Sequence, residues 1–348
     1  MTSSNKLELS ANDAADAPVF VSSETAAAVF QWLPAVRALQ ATYARPLGPQ
    51  AVPRRTIAAG AAERASLRTM TAVPPASRYY GAKLMGMAFG PAGRQLEYAV
   101  VLFDATTGSL AAIVDGNLVT AYRTAATSAA ALDRLAPQGA ARLAVLGSGL
   151  EARMHTLAIA AVRELQEIRV YSPTPAKREA FADAMVAELG IHAHAVDSPA
   201  EAVGGADIVL AAARSYGEKP TLHGAWLAPH ATVVSIGSTL PDQREVDSSV
   251  VARASLIVCD NVEEVLEESG DMLAARRDGV EPDAKCVSLN DLMSGKVIAS
   301  RREGDVAMYK SVGSGLQDVV VAGMILDLAR AAGLATPLPI RFETKRIG

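Results

Sequence analysis

Leu143-Ala144-Val145-Leu146-Gly147-Ser148-Gly149-Leu150-Glu151-Ala152 is an apolar strand pattern that runs into G-x-G-x-x-A and on into a helical stretch through Val162. Each small residue has a physical task. Gly147 permits a tight turn, Gly149 lets backbone approach a pyrophosphate, and Ala152 allows a helix to pack closely on a strand. The helix opening after Gly149 offers unpaired N–H groups and a partial positive charge to an anion. Ser148, Leu150 and Glu151 belong to the same turn, and an anionic Glu151 fits there only if it points to solvent. A lone glycine pattern also describes an ordinary βα turn, so the flanking sequence decides.

Working outward, strand-like runs at 142–146, 167–171, 192–195, 208–211, 232–236 and 256–259 alternate with helical stretches. That alternation predicts an α/β fold whose six parallel strands complete a dinucleotide-binding sheet. An Ala-rich helix over 124–136 leads into it. Upstream, 22–43 reads as one amphipathic helix capped at Ser22-Ser23-Glu24. Residues 52–113 read as an antiparallel sheet, with turns at Gly90-Pro91-Ala92-Gly93 and Thr107-Gly108. A last long helix spans 315–332 and ends at Gly333. Residues 1–17 are small and polar, and read as a mobile arm.

Composition removes several classes of function. The chain has 348 residues, half of them hydrophobic and 5% aromatic, so its core is built from Ala, Val, Leu and Ile. Thirty-three Lys plus Arg against 37 Asp plus Glu give a net charge of −4, which leaves no surplus for nucleic acid. Two cysteines, Cys259 and Cys286, make no disulfide framework, and a reducing, cytoplasmic setting is expected. Neither a signal peptide nor a membrane span is expected. His192 and His194 share one face of a strand, but no nearby Asp, Glu or Cys completes a set, so no metal site is expected. There is no G-x-S-x-G elbow and no Walker lysine.

Cofactor choice is read at the end of the second strand, where a carboxylate accepts the ribose hydroxyls of NAD. Glu167 precedes that strand and sits at its wrong end. The strand runs instead into Ser172-Pro173-Thr174-Pro175-Ala176-Lys177-Arg178. Ser172, Thr174, Lys177 and Arg178 suit a 2′-phosphate and favour NADP over NAD. The plainer reading is that the two cations only solvate the next helix.

The run Asp115-Gly116-Asn117-Leu118-Val119-Thr120-Ala121-Tyr122-Arg123-Thr124-Ala125-Ala126, followed by the Gly147 turn, resembles the ornithine cyclodeaminase and mu-crystallin family. The resemblance continues through Pro241-Asp242-Gln243-Arg244-Glu245-Val246-Asp247, Glu268-Ser269-Gly270-Asp271 and Tyr309-Lys310-Ser311-Val312-Gly313-Ser314-Gly315-Leu316-Gln317-Asp318. It implies a Rossmann domain at 126–314 inserted into an α+β substrate-binding and dimerisation domain at 18–125 plus 315–348, in a homodimer. It implies an NAD(P)H-dependent reductase of the C=N bond of a small 2-imino acid, or the reverse oxidation of an amino acid. A lyase that retains NAD and a mu-crystallin-like ligand-binding protein are the rival readings.

By the same resemblance, Arg55, Lys83 and Arg123 hold the substrate carboxylate, with Arg54 able to exchange roles with Arg55. Lys83 either stops at that contact or also donates a proton. Asp318 lies near the nicotinamide, and Thr124 and Ser238 are cofactor contacts. Two carboxylates that serve ornithine in the cyclodeaminases are replaced here by Thr239 and Arg68, which disfavours ornithine cyclodeamination.

Overall fold

The computed structural model describes residues 17–60, 65–91, 93–213, 215–216, 219–299, 302, 304–340, 342–343 and 345. Residues 1–16 lie outside the described residues, and with them all of the expected 1–17 arm except Ala17, which is buried. The chain forms two compact units: one from residues up to 30, 49–120 and 318–348, the other from 31–48 and 121–317. The 31–48 segment, read above as part of the first domain, thus clusters with the second unit.

The first unit is built on a sheet of β1 (Val19–Val21), β2 (Thr56–Ala59), β3 (Ala65–Ala72), β4 (Tyr79–Gly90), β5 (Gly93–Asp104) and β6 (Leu110–Asp115), with β17 (Thr336–Pro337) at its rim. The order is β17-β1-β6-β5-β4-β3-β2. Strands β2 to β6 form an antiparallel meander, as expected, while β1 joins parallel to β6. On this sheet lie the residues from Asp318 onward of the helix Gly315–Ala331. Gly323 faces Tyr79, where a Cβ would come within 2.9 Å of the ring, so only glycine allows this approach. Tyr79 then donates to Asp327 (2.7 Å) and Arg330 to the Ala111 carbonyl (3.1 Å), which holds the helix in place.

The second unit carries a parallel sheet of β7 (Arg142–Leu146), β8 (Glu167–Tyr171), β9 (His192–Ala195), β10 (Ile208–Ala211), β12 (Thr232–Ser235), β14 (Ala254–Cys259), β15 (Cys286–Ser288) and β16 (Val306–Lys310). Two short strands, β11 (Ser215–Tyr216) and β13 (Gln243–Arg244), pair separately. The order β15-β14-β16-β12-β10-β7-β8-β9 contains the six strands read from the sequence plus β15 and β16, with β16 between β12 and β14. Leu146, Val209, Val233, Ile257 and Met308 join one core on this sheet. These runs are apolar on both sides because a parallel sheet is covered on both faces.

Two helices depart from expectation. The stretch 22–43 is two helices, Ser23–Val29 and Trp32–Tyr43, and Phe30 between them is extended (ψ 140°). Pro34 has no N–H, and its ring would clash with the carbonyl of residue 30 in a continuous helix, so the chain breaks one turn before it. The Ser22 cap is present, accepting from the Thr25 N–H at 3.2 Å. The Ala-rich helix begins at Gly116, not 124, and runs to Leu135. Asp115 Oδ1 accepts from the Asn117 N–H at 3.0 Å there, which places Arg123 inside the helix instead of at its start.

Candidate active site

In the second unit the glycine turn follows β7 directly. Gly147 has φ +120°, and a Cβ on it would sit 2.7 Å from the Ala212 carbonyl oxygen. Both facts demand glycine. Gly149 is the N-cap of the helix Leu150–Ala160 and caps it with no side chain, and a Cβ there would meet nothing within 4 Å. Open space before uncapped N–H groups is what a pyrophosphate requires. Ala152 is fully buried and Leu150 is exposed. Glu151 turns back toward His155, with Oε2 3.6 Å from its Nδ1.

The end of β8 lies beside this turn. Ser148 Oγ donates to Ser172 Oγ at 2.9 Å, linking two of the residues expected to contact cofactor. Thr174 caps the next helix without a side-chain bond, and Lys177 is exposed. Arg178 is otherwise engaged: it is buried, donates to the Ser172 carbonyl (3.1 Å) and pairs with Asp197, which follows β9. The sequence reading found no carboxylate here because Asp197 arrives from the next strand. Ser238 is also turned inward. Its hydroxyl donates to the Gln243 carbonyl (2.8 Å) and accepts from the Asp271 N–H (3.3 Å).

Arg123, only 5% exposed, donates from Nη1 to Gln317 Oε1 at 2.8 Å, with half-buried Thr124 next to it. Gln317 Nε2 in turn donates to Asp260 Oδ2 (3.1 Å) and to the Tyr43 hydroxyl (3.2 Å). Asp260 is fixed by the Ser311 hydroxyl and the N–H groups of Val312 and Gly313. Gly313 has φ +86°, and a Cβ on it would lie 2.8 Å from Arg123 Nη1. A guanidinium held this way keeps a fixed orientation for a carboxylate. At the C-terminal ends of β12 and β16 lies a buried charge cluster: Lys310 Nζ donates to Asp271 Oδ2 and Ser235 Oγ, both at 2.9 Å. Ser235 donates to Glu245 (2.6 Å), whose carboxyl is pushed up to about 7 by burial. Sequence reasoning quoted Gln317, Gly313, Glu245, Asp271 and Lys310 but gave them no role, since each acts on another protein group.

In the first unit, Lys83 on β4 is 3% exposed and its ammonium lies 3.0 Å from Oδ1 of Asp318, which is fully buried. The ring of Tyr98 on β5 flanks the ammonium at 6.0 Å. Lys83 is therefore no surface charge, and the structure joins the two residues expected to carry chemistry. Arg55 is half-buried just before β2. Arg68 lies on β3 opposite Ile57 and Met85.

The reading of His192 and His194 needs correction. Glu167, the first residue of β8, pairs in register with His192, and one donor atom from each of the three residues lies within 4.8 Å of the others. A carboxylate does complete the set. It was missed because register between strands is invisible in the sequence.

The family model of the ornithine cyclodeaminase/mu-crystallin family matches residues 25–333. The chain belongs to that family. Within it, the ketimine reductase mu-crystallin of Mus musculus is 32% identical over 299 residues, covering 85% of this chain and 91% of that one. The structure of Thermococcus litoralis Delta(1)-pyrroline-2-carboxylate reductase in complex with NADH and L-proline is 25% identical, with a TM-score of 0.83 over 92% of this chain and all of the other. Iminosuccinate reductase of Paracoccus denitrificans in complex with NAD+ is also 25% identical, with a TM-score of 0.82 over 93% of this chain and all of that one. The inserted dinucleotide-binding sheet and the separate mixed sheet are thus features of the family fold.

Proposed function

We propose that this chain is a nicotinamide-dependent reductase of the C=N bond of a small 2-imino acid, able to run the reverse oxidation of an amino acid. The observation that carries the reading is the buried Lys83–Asp318 pair. Taking two charges out of water is costly, and buried, charge-paired groups gather at functional sites as well as in structural networks such as Lys310–Asp271. The family relatives named above, two imine reductases with a bound nicotinamide and a ketimine reductase, support the same reaction class.

In this reading Arg55, Lys83 and Arg123 take the substrate carboxylate. Gln317 and Asp260 orient the Arg123 fork, which fixes the imine carbon in place. Asp318 holds the Lys83 ammonium, which either stays on the carboxylate or protonates the imine nitrogen and makes its carbon more electrophilic. The turn Gly147–Ala152, Ser172 and Thr174 would hold the dinucleotide, which supplies the hydride when bound. Thr239 and Arg68 stand where ornithine cyclodeaminases carry acids, so an ornithine ammonium has no partner at those positions. NADPH is preferred over NADH through exposed Lys177 in the first turn of the helix Pro175–Leu189 that follows β8, since Arg178 is already paired with Asp197. The free thiols of Cys259 and Cys286 suit the cytoplasm.

The test is a panel of cyclic imines, and of 2-oxo acids with ammonia or methylamine, followed by NAD(P)H absorbance. Turnover is expected with at least one of them. Arg123→Ala is expected to lower kcat/KM by about 30- to 1000-fold, corresponding to loss of a charge-assisted bidentate contact worth on the order of 2–4 kcal/mol. Its NADPH affinity is expected to stay near wild type. Loss of NADPH binding with unaltered imine reduction would refute the assignment of Arg123 to substrate.

A further inference from the structure

We infer that Glu167, His192 and His194 form a binding site for a divalent transition-metal ion at the edge of the parallel sheet. His192 and His194 are two residues apart on β9 and so share a face, with ring centroids 4.9 Å apart. Glu167 enters from β8 in direct register with His192. The three donor atoms lie within 4.8 Å of one another. Around a zinc ion bound at about 2.0–2.2 Å, neighbouring donors stand roughly 3.3 Å apart, so small side-chain rotations close the set.

The donor chemistry selects the ion. Two imidazoles and one carboxylate suit zinc, nickel, copper or cobalt, whereas magnesium and calcium take oxygen ligands. His194 has Nε2 3.9 Å from Glu167 Oε1, and its Nδ1 is buried with no hydrogen-bond partner among the described residues. Nε2 is the nitrogen that faces the carboxylate, and a cation between the two would be held by both. Arg169 is the competing cation, with Nε 3.5 Å from Glu167 Oε2. Its Nη1 is committed to the carbonyls of Glu201 and Gly204, so it leaves Oε1 to the metal. Arg142, across the sheet from Glu167, is paired with Asp207. Exposed His192 leaves room for water in the remaining coordination positions.

The site is remote from the dinucleotide turn. Register places Glu167 and His192 at the N-terminal ends of their strands, whereas Gly147 follows the C-terminal end of β7. A metal here would clip β9, which has a strand neighbour on one side only, to β8. Its expected effect is on stability, by preferential binding to the folded state.

Untagged full-length protein, stripped with EDTA and dialysed, would be titrated with Zn2+ alone by calorimetry while Tm is followed. One saturable site per chain and a Tm that rises with Zn2+ but not with Mg2+ are expected. Glu167→Gln and His194→Gln should each weaken binding by at least about tenfold while leaving the circular dichroism spectrum unchanged. The absence of saturable binding, or wild-type affinity in both variants, would overturn the site. If a variant fails to fold, Co2+-loaded wild-type protein decides: paramagnetic shifts of the His192 and His194 ring protons support the site, and unmoved signals overturn it.

Discussion

Glu245 and His155 are buried titratable groups of the second unit whose pH windows oppose each other. Burial pushes Glu245 up from 4.5 to about 7, so between those values the folded protein holds a proton that the unfolded chain has released. Its contribution is full below pH 4.5 and is lost as pH rises through 7. Burial pushes His155 down from 6.5 to about 4, and the neutral ring is held between the Glu151 carbonyl (2.7 Å) and Ser128 Oγ (3.1 Å). Its contribution is full above pH 6.5 and is lost as pH falls through 4. The two slopes offset each other across the shared window in wild-type protein. Glu245→Gln keeps the shape and removes one of them. It should match wild type in urea unfolding at pH 5 and exceed it at pH 8 by on the order of 2–3 kcal/mol. An equal difference at both pH values would mean that Glu245 is already charged at pH 5.

At the scale of elements, the two glycines of the dinucleotide turn separate folding from binding. Gly147→Ala must accept a positive φ and a Cβ against the Ala212 carbonyl, so stability should fall by roughly 1–3 kcal/mol along with cofactor affinity. Gly149→Ala adds a methyl to open space at φ −90°, so Tm should hold while NADPH affinity drops at least tenfold in a fluorescence titration. Wild-type affinity in Gly149→Ala would remove the turn from the binding site. The same local logic explains what was legible. Strands β7, β10 and β12 are largely apolar runs bounded by turns and β8 alternates polar with apolar residues, so the succession of strands and helices could be read directly. Strand β16 escaped because it ends in Lys310, a lysine tolerable there only through Asp271, which approaches from 39 residues away. Strands β1 and β15 have three residues each, too few for any period. Lys83 and Asp318 were found through resemblance, since 235 residues separate them. Asp260, Gln317 and Asp197 were not, because their partners are other protein groups brought close only by folding.

For the whole molecule, the sheet of the first unit is unfinished at its outer end. Strand β2 is an edge, and all four of its residues are exposed. Ile57 (56% exposed) pairs with Arg68 while Leu67 (44%) pairs with Ala58, so exposed apolar side chains stand on opposite faces of the same half-sheet. Phe89 and Leu96 extend the exposed set along β4 and β5. A cavity of about 880 Å³ lined by Ala58, Leu67, Met87, Leu96 and Glu97, among others, lies at this end. An open edge with apolar faces is an aggregation hazard unless something covers it, and a second copy does so by symmetry. A stable dimer buries about 800 Å² per partner. A homodimer is therefore expected, with light scattering at micromolar concentration giving twice the 36.2 kDa of one chain. Introducing a charge on each face of the patch, Ile57→Lys with Leu67→Glu, should yield monomers. Because the dinucleotide turn belongs to the other unit, those monomers should bind NADPH as wild type does. A wild-type monomer at that concentration, or a double variant that stays dimeric, would mean that this end of the sheet is not the interface.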